Sequence, residues 1–100
     1  MSDQKEPTTR APRFSLGRVA ATPAALTAMQ QARVGPLDLL LRHVIGDWGE
    51  LDPEDRQANE EGLLHGLRLL SNYPIGEGVR IWIITEADRS VTTLLLPEDY

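Results

Sequence analysis

The stretch RIWIITEADRSVTTLLLP, Arg80 to Pro97, limits what this chain can fold into more than any other. Two runs rich in β-branched residues flank a polar tip, Glu86-Ala87-Asp88-Arg89, which is the pattern of a hairpin. Pairing Thr85 with Ser90 gives one face bearing Val79, Ile81, Ile83, Thr85, Thr92, Leu94 and Leu96. The other face bears Arg80, Trp82, Ile84, Val91, Thr93 and Leu95. Large apolar side chains therefore point both ways, and burying each is worth roughly 1.5–3 kcal/mol. One layer of helices covers one side of a sheet. The second side needs a cover of its own: helices there too, the N-terminal segment, a second copy, or a partner.

The rest of the chain supplies the first layer. RFSLGRVAAT reads as a strand, with Phe14, Leu16 and Val19 as its apolar contacts and Gly17 as a break in the alternation. Thr22-Pro23 starts a helix, because Thr22 can accept from orphan N–H groups and proline fits the first helical position. Gly35-Pro36 stops that helix and starts another. In the second, Leu37, Leu40, Leu41 and Val44 recur at i, i+3, i+4, i+7 and predict one apolar face. Asp52-Pro53-Glu54-Asp55 starts a third, with acids at the positive dipole end. Ala58, Leu63 or Leu64, and Leu67 are its expected inward residues, and Gly66 its end. LRLLSNYPI follows as a strand and GEG as a turn.

The order strand, three helices, three strands predicts an α+β fold, with three helices packed on a four-stranded, mostly antiparallel sheet. One hundred residues suit one domain, assigned to 13–100, with a polar tail over 1–12 too poor in apolar groups to fold alone. That start has no apolar run, and no stretch approaches the ~20 apolar residues of a membrane span. With no cysteine there is neither a disulfide framework nor a thiolate metal site. The expectation is a soluble, cytoplasmic protein with no membrane contact.

The net charge is −5, and its placement is uneven. Residues 46–61 hold Asp47, Glu50, Asp52, Glu54, Asp55, Glu60 and Glu61 against Arg56 alone. Such a chain attracts a bare nucleic-acid backbone weakly, so nucleic acid is a poorly supported partner. RHVIGDWG gathers Arg42, His43, Asp47 and Trp48. His43 has the residue type for acid–base work near neutrality, although a surface or capping role is the commoner use. Trp48, between two glycines, is more often a lid over a core edge than a ligand platform. His65 has no spacing to His43 that suits a metal, so neither a metal nor a cofactor is expected. Phosphate-binding glycine loops and nucleophile elbows are absent from the sequence.

LLRHVIGDWGELDPEDRQANEEGLLHGLRLLSNYP, followed by IWIITEADRSVTTLLLPEDY, resembles a family of small bacterial proteins of plasmids and integrative elements, labelled plasmid-related. Members are sometimes misnamed as restriction-modification subunits. The chain is too short for a methyltransferase and lacks its nucleotide-binding loop. The resemblance implies a setting in anti-defence or element maintenance and no particular activity. The order of elements is also similar to the barnase–EndoU–colicin–RelE group of metal-independent ribonucleases. That architecture implies His43 as general acid/base, with Arg68, Arg80, Thr85 and Thr92 around a scissile phosphate.

Two functions follow as expectations. The first is a non-enzymatic interaction protein, engaging a protein partner or a second copy. Its contacts would be Trp82, Ile84, Val91 and Leu95 on the second face, Asp47 and Trp48 in the acidic stretch, and Glu86, Asp88 and Arg89 at the hairpin tip. The second is the small ribonuclease built on His43.

Overall fold

The computed structural model describes residues 11–100. Of the expected tail, only Ala11 and Pro12 fall within the described residues, and both are exposed. Strand β1 (Arg18–Ala21) is followed by helices α1 (Pro23–Ala32), α2 (Pro36–Val44) and α3 (Pro53–His65). Strands β2 (Leu69–Gly76), β3 (Val79–Thr85) and β4 (Val91–Leu95) complete the sheet, and a 3-10 turn (Pro97–Asp99) ends the chain. The fold is α+β, with a mixed, mostly antiparallel sheet in the order β1-β4-β3-β2. β1 runs parallel to β4, and the other two pairings are antiparallel.

Local chemistry starts each helix where the sequence places it. Thr22 accepts from the Ala25 N–H, and Asp52 from the Asp55 N–H. Proline follows each of the three N-caps. Gly66, at φ 67°, closes α3 in the left-handed region. β1 is shorter than RFSLGRVAAT suggests. Gly17 takes φ 65°, and a Cβ there would collide with the Arg89 and Ser90 carbonyls. Phe14 and Leu16 therefore lie on an irregular strap ahead of β1.

The hairpin pairs Thr85 with Thr92, two residues from the expected register. A shift of two preserves the alternation, so each side chain keeps its predicted face. The inner face joins Leu69, Ser71 and Tyr73 of β2 to Ile81, Ile83 and Thr85 of β3 and to Thr92 and Leu94 of β4, all buried. Ala25 and Met29 of α1, with Leu39 and Leu40 of α2, pack on it.

Two helix faces differ from expectation. In α2 the buried residues are Leu39, Leu40, His43 and Val44, whereas Leu37 and Leu41 are exposed. His43 takes an inward place that the leucine periodicity hides. In α3, Asn59 and Gly62 are buried, Ala58 and Leu64 are exposed, and Leu67 beyond it is half exposed. This helix docks through a polar contact. Asn59 Nδ2 donates to the Leu70 carbonyl (2.7 Å), and the Leu70 N–H donates to Asn59 Oδ1 (3.0 Å). Gly62 lets the helix approach, since a Cβ there would press on Leu69 Cδ2 at 2.9 Å.

Candidate functional site

α2 carries His43 against the inner face of the sheet, where it has no solvent exposure. Its Nδ1 lies 2.6 Å from Ser71 Oγ and its Nε2 lies 2.9 Å from Thr85 Oγ1. Thr85 Oγ1 in turn lies 2.7 Å from Thr92 Oγ1, which donates to the Leu16 carbonyl at 2.7 Å. The carbonyl accepts only, and this orders the whole chain of protons. Thr92 spends its hydrogen on Leu16 and so accepts from Thr85. Thr85 then accepts from His43 Nε2–H, which leaves Nδ1 to accept from the Ser71 hydroxyl. Every polar group in the chain is satisfied with a neutral imidazole.

Burial, and then the charge of Arg89, push the His43 pKa down to about 3. Three aromatic contacts close the site. Phe14 meets His43 edge-on at 5.1 Å, Trp48 meets it edge-on at 5.7 Å, and Phe14 and Trp48 stack at 6.2 Å. Trp48 is buried and its Nε1 donates to Glu60 Oε2 (3.2 Å), so it is a lid over the core edge. Glu60 also receives Arg13, at 2.9 Å from Oε1, which ties the strap to α3. Those two donors, Arg13 foremost, hold the Glu60 carboxyl below its usual range. The arrangement has the elements of a base beside a hydroxyl, but no substrate atom can reach it as folded.

The residues of the ribonuclease reading do not converge on one site. Thr85 and Thr92 join His43 inside. Arg80 sits in β3 on the opposite face and pairs with Glu50 at 2.8 Å. Arg68 donates to the Tyr100 hydroxyl at 2.8 Å. Ser71 completes the histidine chain and was not among the expected residues. Its signal was positional, a small hydroxyl between Leu69 and Tyr73 on the buried alternation of β2.

The residues of the interaction reading are scattered. Ile84 and Leu95 are 5% and 7% exposed, while Trp82 and Val91 are half-buried. Much of their cover is the chain's own C-terminal end. The 3-10 turn packs on β3, and the Tyr100 ring meets Trp82 at 5.9 Å, with the Arg68 guanidinium 5.5 Å from the Tyr100 ring centroid. Tyr100 itself stays 69% exposed. Asp47 is exposed and bound by Arg42 Nε at 2.7 Å, a hydrogen bond that raises the Arg42 pKa. At the hairpin tip Glu86 and Asp88 are exposed, and hydrogen bonding from the Ser90 side chain, and then from its N–H, lowers the Asp88 pKa. Arg89 turns inward at φ 61°. Its guanidinium donates to the carbonyls of Gly62 (2.9 Å) and Leu67 (2.7 Å), where α3 ends, so it is a clamp rather than a knob.

Among the described residues, no group of three or more His, Asp, Glu or Cys could hold a metal ion, and no helix is long and apolar enough to cross a membrane. An open groove of about 500 Å³ lies between α1 and the start of α2, lined by Leu26, Met29, Val34 and Pro36 among others. None of the candidate site residues lines it. No family model matches this chain, and no curated protein or solved structure shows significant similarity to it.

Proposed function

We propose that this chain is a small non-enzymatic interaction protein that docks a protein partner on the outer face of its sheet. The mobile-element setting implied by its sequence, anti-defence or maintenance, is part of the same proposal. One observation carries it. Among the described residues no α-helix lies over the outer face, only a short C-terminal turn and one tyrosine ring, so Trp82, beside Tyr100, and Val91 stay partly accessible. A patch with aromatic anchors and few charges has the composition of an interface centre. Arg68, over the Tyr100 ring, borders it, which suits a partner surface with an acidic group at its rim.

The test uses the full chain, immobilised as wild type, Trp82→Arg and Val91→Arg, against extract from the native host. A protein held by wild type and released by both variants, then shown to bind as a purified stoichiometric complex, supports the proposal. Equal retention by all three removes it. RNA cleavage by purified wild type in EDTA, lost in a folded His43→Gln variant, would replace it with the ribonuclease reading.

A further inference from the structure

We propose that two copies of this chain pair through β1, antiparallel and about a two-fold axis at Ala20, joining their sheets into one of eight strands. Among the described residues, nothing pairs with the outer groups of β1. Arg18 N–H donates to the Ser90 carbonyl (2.9 Å) and Thr22 N–H to the Leu94 carbonyl (3.0 Å), both toward β4. Strand alternation therefore turns the N–H and C=O of Val19 and Ala21 outward. β4 is the only neighbour of β1 among the described residues. The exposed residues of β1 are Arg18, Val19 and Ala20, with no lysine, proline or bulge to guard the edge.

The outward groups fix the register. In an antiparallel pair, a hydrogen-bonded couple needs both residues facing the partner. Val19 opposite the partner's Ala21, and the reverse, uses both outward residues of each copy, whereas a two-fold at Val19 or at Ala21 would use one. Ala20 then faces its own symmetry mate, and Arg18 faces the partner's Thr22. This is the isologous contact that a two-fold axis demands.

Two features of charge select a second copy. Residues 7–37 contain four arginines and no acid, so copies of a net-acidic chain meet where neither presents carboxylates along the strand. At the end of β1, the Thr22 hydroxyl donates to Asp99 Oδ2 at 2.7 Å. The register brings the partner's Arg18 to that same end and face. Neither Arg18 nor Asp99 has an ion-pair partner among the described residues. The two-fold therefore makes two complementary pairs, one at each end of the new ladder.

The test is the mass in solution and a crosslink. Light scattering after size exclusion should give about twice the 11.1 kDa of one chain at high micromolar concentration, falling toward one chain on dilution. Ala20→Arg, which sets two cations on the axis, should give single-chain mass throughout. Because the chain has no cysteine, Ala20→Cys supplies a clean reporter. Opposed residues in a non-hydrogen-bonded antiparallel pair lie about 4.5 Å apart at Cα, within disulfide range. Mild oxidation should crosslink it at least tenfold faster than Ala58→Cys, an exposed position on α3. Single-chain mass for wild type at every concentration overturns the proposal, even if a foreign strand is later found on β1. So does a dimer that survives Ala20→Arg while Ala20→Cys crosslinks no faster than Ala58→Cys.

Discussion

Along the β2 edge of the sheet, the outward groups of Leu70 are taken by Asn59, and those of Asn72 by the Trp48 carbonyl (2.9 Å) and the Glu50 N–H (2.7 Å). Along the β1 edge, Val19 and Ala21 meet no such partner among the described residues. The contrast extends inward. The β2 side holds the Trp48 lid and the α3 dock, and the histidine chain starts there at Ser71. The β1 side is a four-residue strand, of which Arg18, Val19 and Ala20 are exposed. A free edge invites another chain, and this molecule closes one edge by side-chain chemistry while leaving the other plain. Stability should therefore reside on the β2 side, and association on the β1 side.

The largest effect expected is from Gly49, where the Trp48–Glu50 strip lies against β2. Gly49 sits at φ 78°, and a Cβ would collide with the Asn72 carbonyl. Gly49→Ala should cost about 4 kcal/mol, from the left-handed backbone and the displaced strip together. Urea unfolding reads this directly. A loss below 1 kcal/mol would mean that the β2 edge is not sealed by this strip.

Asn59→Ala comes next. It removes two hydrogen bonds and strands two backbone groups of Leu70, and Asn59 is itself buried. About 3 kcal/mol is expected. Amide exchange should show Leu70 losing protection while β4 keeps its own.

Acid probes the same half from within. His43 titrates near 6.5 when unfolded but at about 3 when folded, chiefly because burial disfavours its charged form. Below pH 6.5 the unfolded chain takes up a proton that the native chain refuses, so stability falls with pH. The contribution is fully present above 6.5 and is lost progressively down to about 3. The slope is about 1.4 kcal/mol per pH unit, or roughly 2.5 kcal/mol between pH 6.5 and 4.5. A folded His43→Gln variant should flatten that window. An unchanged slope would place the titration elsewhere.

The hairpin faces were legible because alternation survives a register error of two, so Ile81, Ile83 and Leu94 were placed inward by parity alone. Helix starts were legible because Thr22 and Asp52 act within one turn of themselves. What was hidden is long-range and polar. His43 sits among leucines, and nothing local says that Ser71, 28 positions away, will accept it into the core. Asn59 looks like a solvated helix residue until β2 presents an open edge. Arg89 looks like a turn residue until α3 ends against it. The outer face carries the same lesson. Its apolar pattern announced that a cover was needed, but Tyr100 is separated from Trp82 by the whole of β4 and identifies itself only in three dimensions.

The smallest effect separates the two edges most cleanly. Ala20 is exposed on β1, its side chain points to the outer face, and it meets no core residue of the inner cluster. Ala20→Lys should change the stability of the isolated chain by less than about 0.5 kcal/mol, the usual range for a surface position. Measured at low concentration, that near-zero result stands against the several kcal/mol at Gly49 and Asn59 on the opposite edge. Amide exchange sharpens it further. Leu70 and Asn72 should be protected at any concentration, because their partners belong to the same chain. Val19 and Ala21 should exchange freely when dilute, gain protection as concentration rises, and lose that gain in Ala20→Lys. Protection of Val19 and Ala21 that ignores concentration would mean that the β1 edge is already closed from within, and the asymmetry between the edges would vanish.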